Sequence, residues 1–271
     1  KAVEELTNHG FENVRWIEND NECIYTIENN VYRAQGVGIA QALDIIQKHG
    51  LSTEKRCKVI VTHLEVPELS LTYHPNECDT IGVADKRRWE TSYEVGDSWD
   101  SIKKEKAKNS SRFKVDILVY PQLSFKNLII TQIYQVLFTL NPAIEVSLWP
   151  GMKLTGQVII PVYNDGYGYL QDKVHPGFIT LSQRFRLPYN IKGKATIGYF
   201  SADRYGADLM LFYPFKDERF SLEGRIGAVA IGYWNGFKLH YDTEFSTTWS
   251  LGGNFYWPKY NTNFSLKGEQ Y

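Results

Sequence analysis

From Tyr205 to Gly268 the chain alternates apolar and polar residues with a period of two. Phe220, Leu222, Ile226, Ala228 and Ala230 fall on one face, with Ser221, Glu223 and Arg225 on the other. Phe237, Leu239, Tyr241, Thr243 and Phe245 oppose Lys238, His240, Asp242, Glu244 and Ser246. Trp249, Leu251, Phe255 and Trp257 oppose Thr248, Ser250 and Asn254, and Tyr260, Thr262, Phe264 and Leu266 oppose Asn261, Asn263, Ser265 and Lys267. Successive strand side chains point to opposite faces, so this pattern predicts long amphipathic strands joined by short turns. The same period starts at Phe113 and predicts strands around 113–119, 134–140, 144–148, 154–162, 179–187 and 191–199. Trp149-Pro150-Gly151 reads as a tight turn, and 164–174 as a Gly- and Tyr-rich loop.

The first 76 residues follow another rhythm. Residues 1–9 read as a short helix, with hairpin strands at Phe11–Ile17 and Cys23–Glu28. An amphipathic helix follows at Val37–Lys48, with Val37, Ala40, Leu43, Ile39 and Ile46 facing inward. Strands at Cys57–His63 and Leu69–Tyr73 complete an α-β-β-α-β-β module. Its element order resembles the POTRA-like modules that precede outer-membrane barrels. Residues 77–111 are charged and weakly periodic, with Lys86-Arg87-Arg88 and the run IKKEKAKNSS, and read as a solvated linker. A basic patch for lipid headgroups or an acidic polymer is the alternative reading there.

The predicted organisation is therefore mainly β: an α+β module at 1–76, a linker at 77–111, and an antiparallel β-barrel of about 8–12 strands at 112–271. A soluble sandwich hides the apolar faces of its strands between two sheets, whereas a membrane barrel turns them to lipid and keeps charge around a lumen. Full charges on the polar face and aromatics toward the strand ends favour the transmembrane barrel. A soluble periplasmic β-sandwich binding protein is the alternative of a different class. Aromatics make up 14% of the chain, with 18 Tyr, which suits strands and interfacial girdles. No run of roughly 18 apolar residues predicts a transmembrane helix. The net charge of −1 gives no reason to expect a nucleic-acid partner. Lys1 opens into a charged segment with no signal peptide, so export requires that one has been removed. Cys23, Cys57 and Cys78 match no zinc or redox spacing; one disulfide with a free thiol and three buried thiols both remain open.

The N-terminal GFENV (Gly10–Val14) and IENNVYR (Ile27–Arg33) patterns, with a helix after them, resemble the YjbH/GfcD-like exopolysaccharide-secretion proteins. LNPAIEVSLWPGMKLTGQVIIPVYND (Leu140–Asp165) and Arg204-Tyr205-Gly206 extend the likeness to most of the chain except 77–111. The resemblance implies an outer-membrane β-barrel, with its N-terminal module in the periplasm, that helps export or assemble an extracellular or capsular polysaccharide. The implied partners are outer-membrane lipid and the polysaccharide or other secretion-machinery components. Members of that family are longer and carry more strands, so 112–271 is expected to hold part of a barrel. A barrel that assists protein insertion or secretion is the alternative within this architecture, since POTRA-like modules bind strands by edge augmentation.

The charged set Arg184, Arg186, Lys192, Lys194, Glu223, Arg225, Lys238, His240, Asp242 and Glu244 is the candidate lumen wall. Charges of both signs there either satisfy one another and hold water or form a wall for a sugar polymer. Tyr167, Tyr169, Trp234 and Tyr256 are candidate stacking surfaces or members of an interfacial belt. His240, Asp242 and Glu244 share one predicted face, but a metal site needs defined second-shell support and a hydrolase needs a nucleophile beside the histidine. Ser246 lies too far along the strand for that role. No G-x-S-x-G, HExxH or P-loop is present, so a non-enzymatic protein without metal or cofactor is expected. Tyr32 and Arg33 are candidates for periplasmic docking.

Overall fold

The computed structural model describes residues 1–52, 54–74, 89–129, 132–200, 203–217 and 219–270. Cys78 and Lys86-Arg87-Arg88 lie outside the described residues. The chain is mainly β and divides into two compact units. The first holds Lys1–Ser111 with the segments Arg186–Lys192 and Pro214–Arg219; the second holds the rest.

In the first unit, β1 (Glu12–Glu18) and β2 (Glu22–Glu28) form an antiparallel hairpin. Helix α2 (Gln35–His49) then carries the chain to β3 (Arg56–His63), which runs parallel to β2. Strands β4 (Val66–Tyr73) and β5 (Trp89–Ser92) add antiparallel pairs and complete the order β1-β2-β3-β4-β5. Alternation along β2 and β3 sends side chains to both faces, and both faces are covered. Tyr25, Ile27, Val59 and Val61 share a core with Leu6 of α1 (Ala2–Asn8) and Ile46 of α2. Ile24 and Ile60 point the other way, onto Ile102 of α3 (Gly96–Ile102).

The expected linker is corrected by that second core. Residues 89–111 belong to the first unit: β5 extends the sheet, α3 packs on it, and Lys108 bridges to Val14. The predicted inward face of α2 holds at Ile46, with Leu43 and Ile39 packed on the core, and is corrected at Val37 and Ala40. Gly38, Ala42, Ile45 and Ile46 are buried, while Val37 is exposed. A Cβ at Gly38 would meet the Asn29 side chain at 2.5 Å, so close approach to Asn29 sets the helix's rotation.

Strand β4 starts at Val66 because Leu64 and Glu65 make a two-residue turn with φ of 52° and 61°. Both backbone N–H groups donate to Glu28, at 2.7 and 3.0 Å. Asn13 Nδ2 donates to the same buried carboxylate at 2.7 Å, and Arg15 pairs with Glu65 at 2.5 Å. Each buried charge here has a hydrogen-bonded partner, as burial demands, although Arg15 Nη1 is left without one among the described residues.

The second unit is a ten-stranded antiparallel sheet in the order β15-β14-β12-β11-β10-β9-β8-β7-β6, with β13 on β12. Its strands are β6 (Val115–Ile129), β7 (Gln132–Ser147), β8 (Met152–Asp165), β9 (His175–Arg186) and β10 (Lys192–Phe200). They continue with β11 (Arg204–Pro214), β12 (Phe220–Asn235), β13 (Lys238–Tyr241), β14 (Ser246–Trp257) and β15 (Thr262–Gln270). Strands β6 and β15 end the order, and no pairing joins them among the described residues. The expected strand count is met; a closed barrel is not what the described pairing contains.

On β7 to β9 of this sheet the polar face is the buried one. On β7, Gln135, Thr139, Asn141 and Ala143 are buried, while Tyr134, Leu140 and Ile144 are exposed. Cross-strand register carries the same split outward. Ile117, Ile144, Gly156 and Ile179 line one face, and Asp116, Glu145, Thr155 and Thr180 line the other. Ile197, Ile226, Leu251 and Leu266 extend the exposed apolar face to β15.

Three local readings are corrected. First, β7 runs unbroken through Asn141-Pro142, where two strands were expected. The ladder to β8 pairs Leu140 with Ile160 and Ala143 with Gln157 but skips Asn141 and Pro142, where proline has no N–H to give. Second, the alternation in β10 breaks at Gly198, whose φ is 136°. Tyr199 therefore leaves the apolar face and is buried, while Ile197 stays exposed. Third, the expected strand Phe237–Ser246 is only β13; residues 242–245 form no strand. The Trp149-Pro150-Gly151 turn is present, with Gly151 at φ 81° and no room for a Cβ beside the Arg184 carbonyl.

Candidate functional site

The polar face of the second unit gathers most of its chemistry. Lys153 of β8 pairs with Glu145 of β7 at 2.8 Å, and Arg225 of β12 with Asp208 of β11 at 2.5 Å. Lys194 lies between these pairs, within electrostatic range of Arg184, Lys153, Asp208 and Arg225. Register aligns Glu223 with Gly252 and Lys267, and Arg225 with Ser250 and Glu269. Opposite charges thus pair across neighbouring strands at Lys153–Glu145 and Arg225–Asp208, while Lys267 pairs along its own strand with Glu269 at 2.8 Å.

Two cavities among the described residues open on this face. One, of about 510 Å³, is lined by Arg204, Asp208, Arg225, Thr248 and Lys267. The other, of about 520 Å³, draws on strands β6 to β10 and differs in kind. Gln122, Asn141, Gln157 and Gln171 bring four side-chain amides to its wall, beside Tyr120 and Tyr199. Asn141 Nδ2 donates to Gln122 Oε1 at 3.0 Å. Gln157 Oε1 accepts from the Phe178 backbone N–H at 3.4 Å. Tyr199 donates to Asp203 at 3.1 Å. His175 Nδ1 lies 2.9 Å from the Lys173 carbonyl and donates to it.

The ten predicted wall residues separate into three groups. Arg184, Lys194, Glu223 and Arg225 lie on the polar face, as the alternation predicts. Arg186 and Lys192 belong to the first unit instead. The Arg186 guanidinium donates to the Pro67 carbonyl at 3.0 Å, to the Tyr93 carbonyl, and to Asn190 Oδ1 at 2.6 Å. Lys192 pairs with Glu68 at 2.7 Å and sits 4.8 Å over the Tyr93 ring.

Lys238, His240, Asp242 and Glu244 do not share a wall. His240 stacks on exposed Tyr233 with ring centroids 5.1 Å apart, while Leu239 pairs with Trp234, which packs edge-on against buried Tyr199. The polar and apolar sides of this segment are therefore the reverse of those expected. Asp242 Oδ1 accepts from the N–H groups of Thr243 and Glu244, and so shapes the turn. Among the described residues no cluster of His, Cys, Asp and Glu is arranged to hold a metal.

The candidate stacking rings are dispersed. Tyr167 carries Lys126 at 4.5 Å, Tyr169 is exposed beside Lys173, and Tyr256 donates to Asn261 at 3.0 Å. A separate group, Phe220, Phe255 and Phe264, stacks across β12, β14 and β15 on the apolar face. Tyr32 packs on Phe11 in the core of the first unit, and Arg33 is exposed ahead of α2.

The amide cavity was not among the predicted sites. Its signal was present in the odd-numbered positions of β7, where Gln135, Thr139 and Asn141 fall in step once Pro142 is allowed inside the strand.

The first unit holds a cavity of about 570 Å³ lined in part by Arg15, Trp16, Cys23 and Tyr25. Cys23 and Cys57 are free, buried and paired in register across β2 and β3. The Cys57 thiol donates to Cys23 and the Trp16 indole N–H donates at 3.0 Å, which together hold Cys23 below the ordinary thiol range, to about 7. Cys57 is pushed the other way, first by that same hydrogen bond and then by burial.

Fold and site together define a class: a two-unit β protein whose larger sheet exposes its apolar face across most strands and buries polar side chains on the other face of β7 to β9. No family model, curated protein or solved structure matches the chain.

Proposed function

We propose that the second unit forms the wall of an outer-membrane β-barrel, and that the chain serves, without catalysis, in export or assembly of an extracellular polysaccharide. The observation that carries the membrane part is the inverted sheet. In water, exposed apolar surface is unfavourable and buried amides need partners, so a soluble sheet has the opposite arrangement. In a bilayer the same arrangement is the stable one: lipid covers Ile117, Ile144 and Ile226 while the polar side faces water. Contiguous apolar surface of this kind marks an interaction site, and within this unit no second sheet packs against it among the described residues. Strand lengths support the reading, since β6 to β9 each span 12 to 16 residues and a tilted crossing needs roughly 9–11. The Phe220, Phe255 and Phe264 stack at one end of the apolar face fits an interfacial girdle. The polysaccharide part rests on the resemblance to the exopolysaccharide-secretion family and on the wall of amides and paired charges.

Heat-modifiable gel migration with membrane fractionation tests the barrel. A protein that remains soluble without detergent and shows no heat shift contradicts it. A deletion strain tests the client. Trapped polysaccharide is expected; misassembled outer-membrane proteins in its place would point to an insertion role.

A further inference from the structure

We infer that the amide cavity across β6 to β10 is a binding site for an uncharged, hydroxyl-rich ligand, a neutral saccharide unit of the passing polymer. This rests on the reading of the polar face as a lumen wall. It goes further in assigning the ligand's charge class and the residues that hold it, none of which lies in the charged set.

The first ground is an unmet acceptor. Asn141 is 3% exposed, lines the cavity, and spends its Nδ2 on Gln122. Its Oδ1 is buried with no hydrogen-bond partner among the described residues. A buried amide oxygen left this way is costly, and a ligand hydroxyl donating to it removes the cost.

The second ground is the chemistry of the rest of the wall. Side-chain amides both donate and accept, as hydroxyl groups do, so Gln122, Gln157 and Gln171 match an array of hydroxyls without selecting charge. His175, with Nδ1 turned to the Lys173 carbonyl, leaves Nε2 as a further hydrogen-bonding atom. Tyr120 and Phe178 bring planar apolar surface to the same wall. The ionic groups present argue against an anion. Glu145 is held by Lys153 and Asp203 by Tyr199, and both carboxylates face a ligand with negative charge. Cations gather in the neighbouring cavity, around Arg204, Arg225 and Lys267. The volume of about 520 Å³ falls within the roughly 300–1,000 Å³ usual for small-molecule sites.

The test is calorimetric titration of the full chain in detergent micelles with three probes of equal length: hexamers of glucose, N-acetylglucosamine and galacturonate. Saturable binding of a neutral hexamer is expected, with galacturonate weaker. Gln122→Leu and Asn141→Leu should each weaken it about tenfold, while Lys259→Ala, in a distant turn, leaves it unchanged. Gln122 is exposed, so its replacement keeps the test meaningful if Asn141→Leu disturbs folding. Tighter binding of galacturonate, no saturable binding of either neutral hexamer, or full affinity in Gln122→Leu overturns the inference. A heat-modifiable protein that fails here loses only this site. Loss of the heat shift removes the barrel reading, whatever the sugars do.

Discussion

Leu140 and Asn141 are neighbours on β7, and the apolar residue is the exposed one: Leu140 is 37% accessible and Asn141 3%. If lipid covers Leu140, Leu140→Lys near mid-strand should cost about 2–4 kcal/mol of barrel stability. An exposed position in water would change stability by no more than about 0.5 kcal/mol. Urea unfolding in phospholipid vesicles measures the difference, and a change inside the smaller range would contradict lipid contact at this position.

Glu28 organises the first unit's turn at Leu64 and Glu65. Glu28→Gln places an NH₂ donor where an oxygen accepted a backbone N–H. It should destabilise the unit by about 1–3 kcal/mol. Chemical denaturation of the full chain followed by tryptophan fluorescence reads this, and wild-type stability would show that the buried carboxylate is dispensable.

Donors to Cys23 favour its thiolate, so its folded pKa lies below that of an ordinary thiol. Alkylation at Cys23 should therefore rise through a midpoint near pH 7 and level off above it. Cys57, shifted upward, should stay unreactive across the same range. Trp16→Phe removes one donor and should move the Cys23 midpoint to higher pH. Mass spectrometry of peptides labelled at a series of pH values resolves the two thiols, and an ordinary midpoint of about 8.5 for Cys23 would refute the hydrogen-bonded pair.

Arg186 donates to three backbone carbonyls and Asn190. A lysine has the charge but not the planar fork, so Arg186→Lys should leave acceptors unmet and cost about 1–3 kcal/mol. Thermal unfolding reads the loss, and an unchanged midpoint would mean that the fork geometry is immaterial.

Much of this architecture was legible from periodicity alone. The two-residue alternation after Phe113 specifies strands, and on β7, β8 and most of β12 it also specifies which residues share a face. It failed where a single residue changes the phase. Gly198 turns Tyr199 inward, and Ala230 is buried although it is in phase with exposed Phe220 and Leu222. Proline misled in the opposite direction: Pro142 looks like a break, but it sits where the ladder to β8 needs no N–H. Residues 89–111 were misread because Val95, Trp99 and Ile102 give too short an apolar stripe to stand out from the lysines after them. The charged pairs on the polar face were visible as charges in alternation. The amide cavity was not, because glutamine and asparagine on a strand look the same whether they face solvent or one another.

The central claim is that the apolar face of the ten-stranded sheet meets lipid. Spin labels placed singly at 222, 223, 225 and 226 of β12, with the native cysteines replaced by serine, test it directly in phospholipid vesicles. Collision with oxygen, which concentrates in lipid, should dominate at 222 and 226. Collision with a water-soluble nickel complex should dominate at 223 and 225. Equal nickel accessibility at all four positions, or protection of 222 and 226 from both reagents, would contradict the claim.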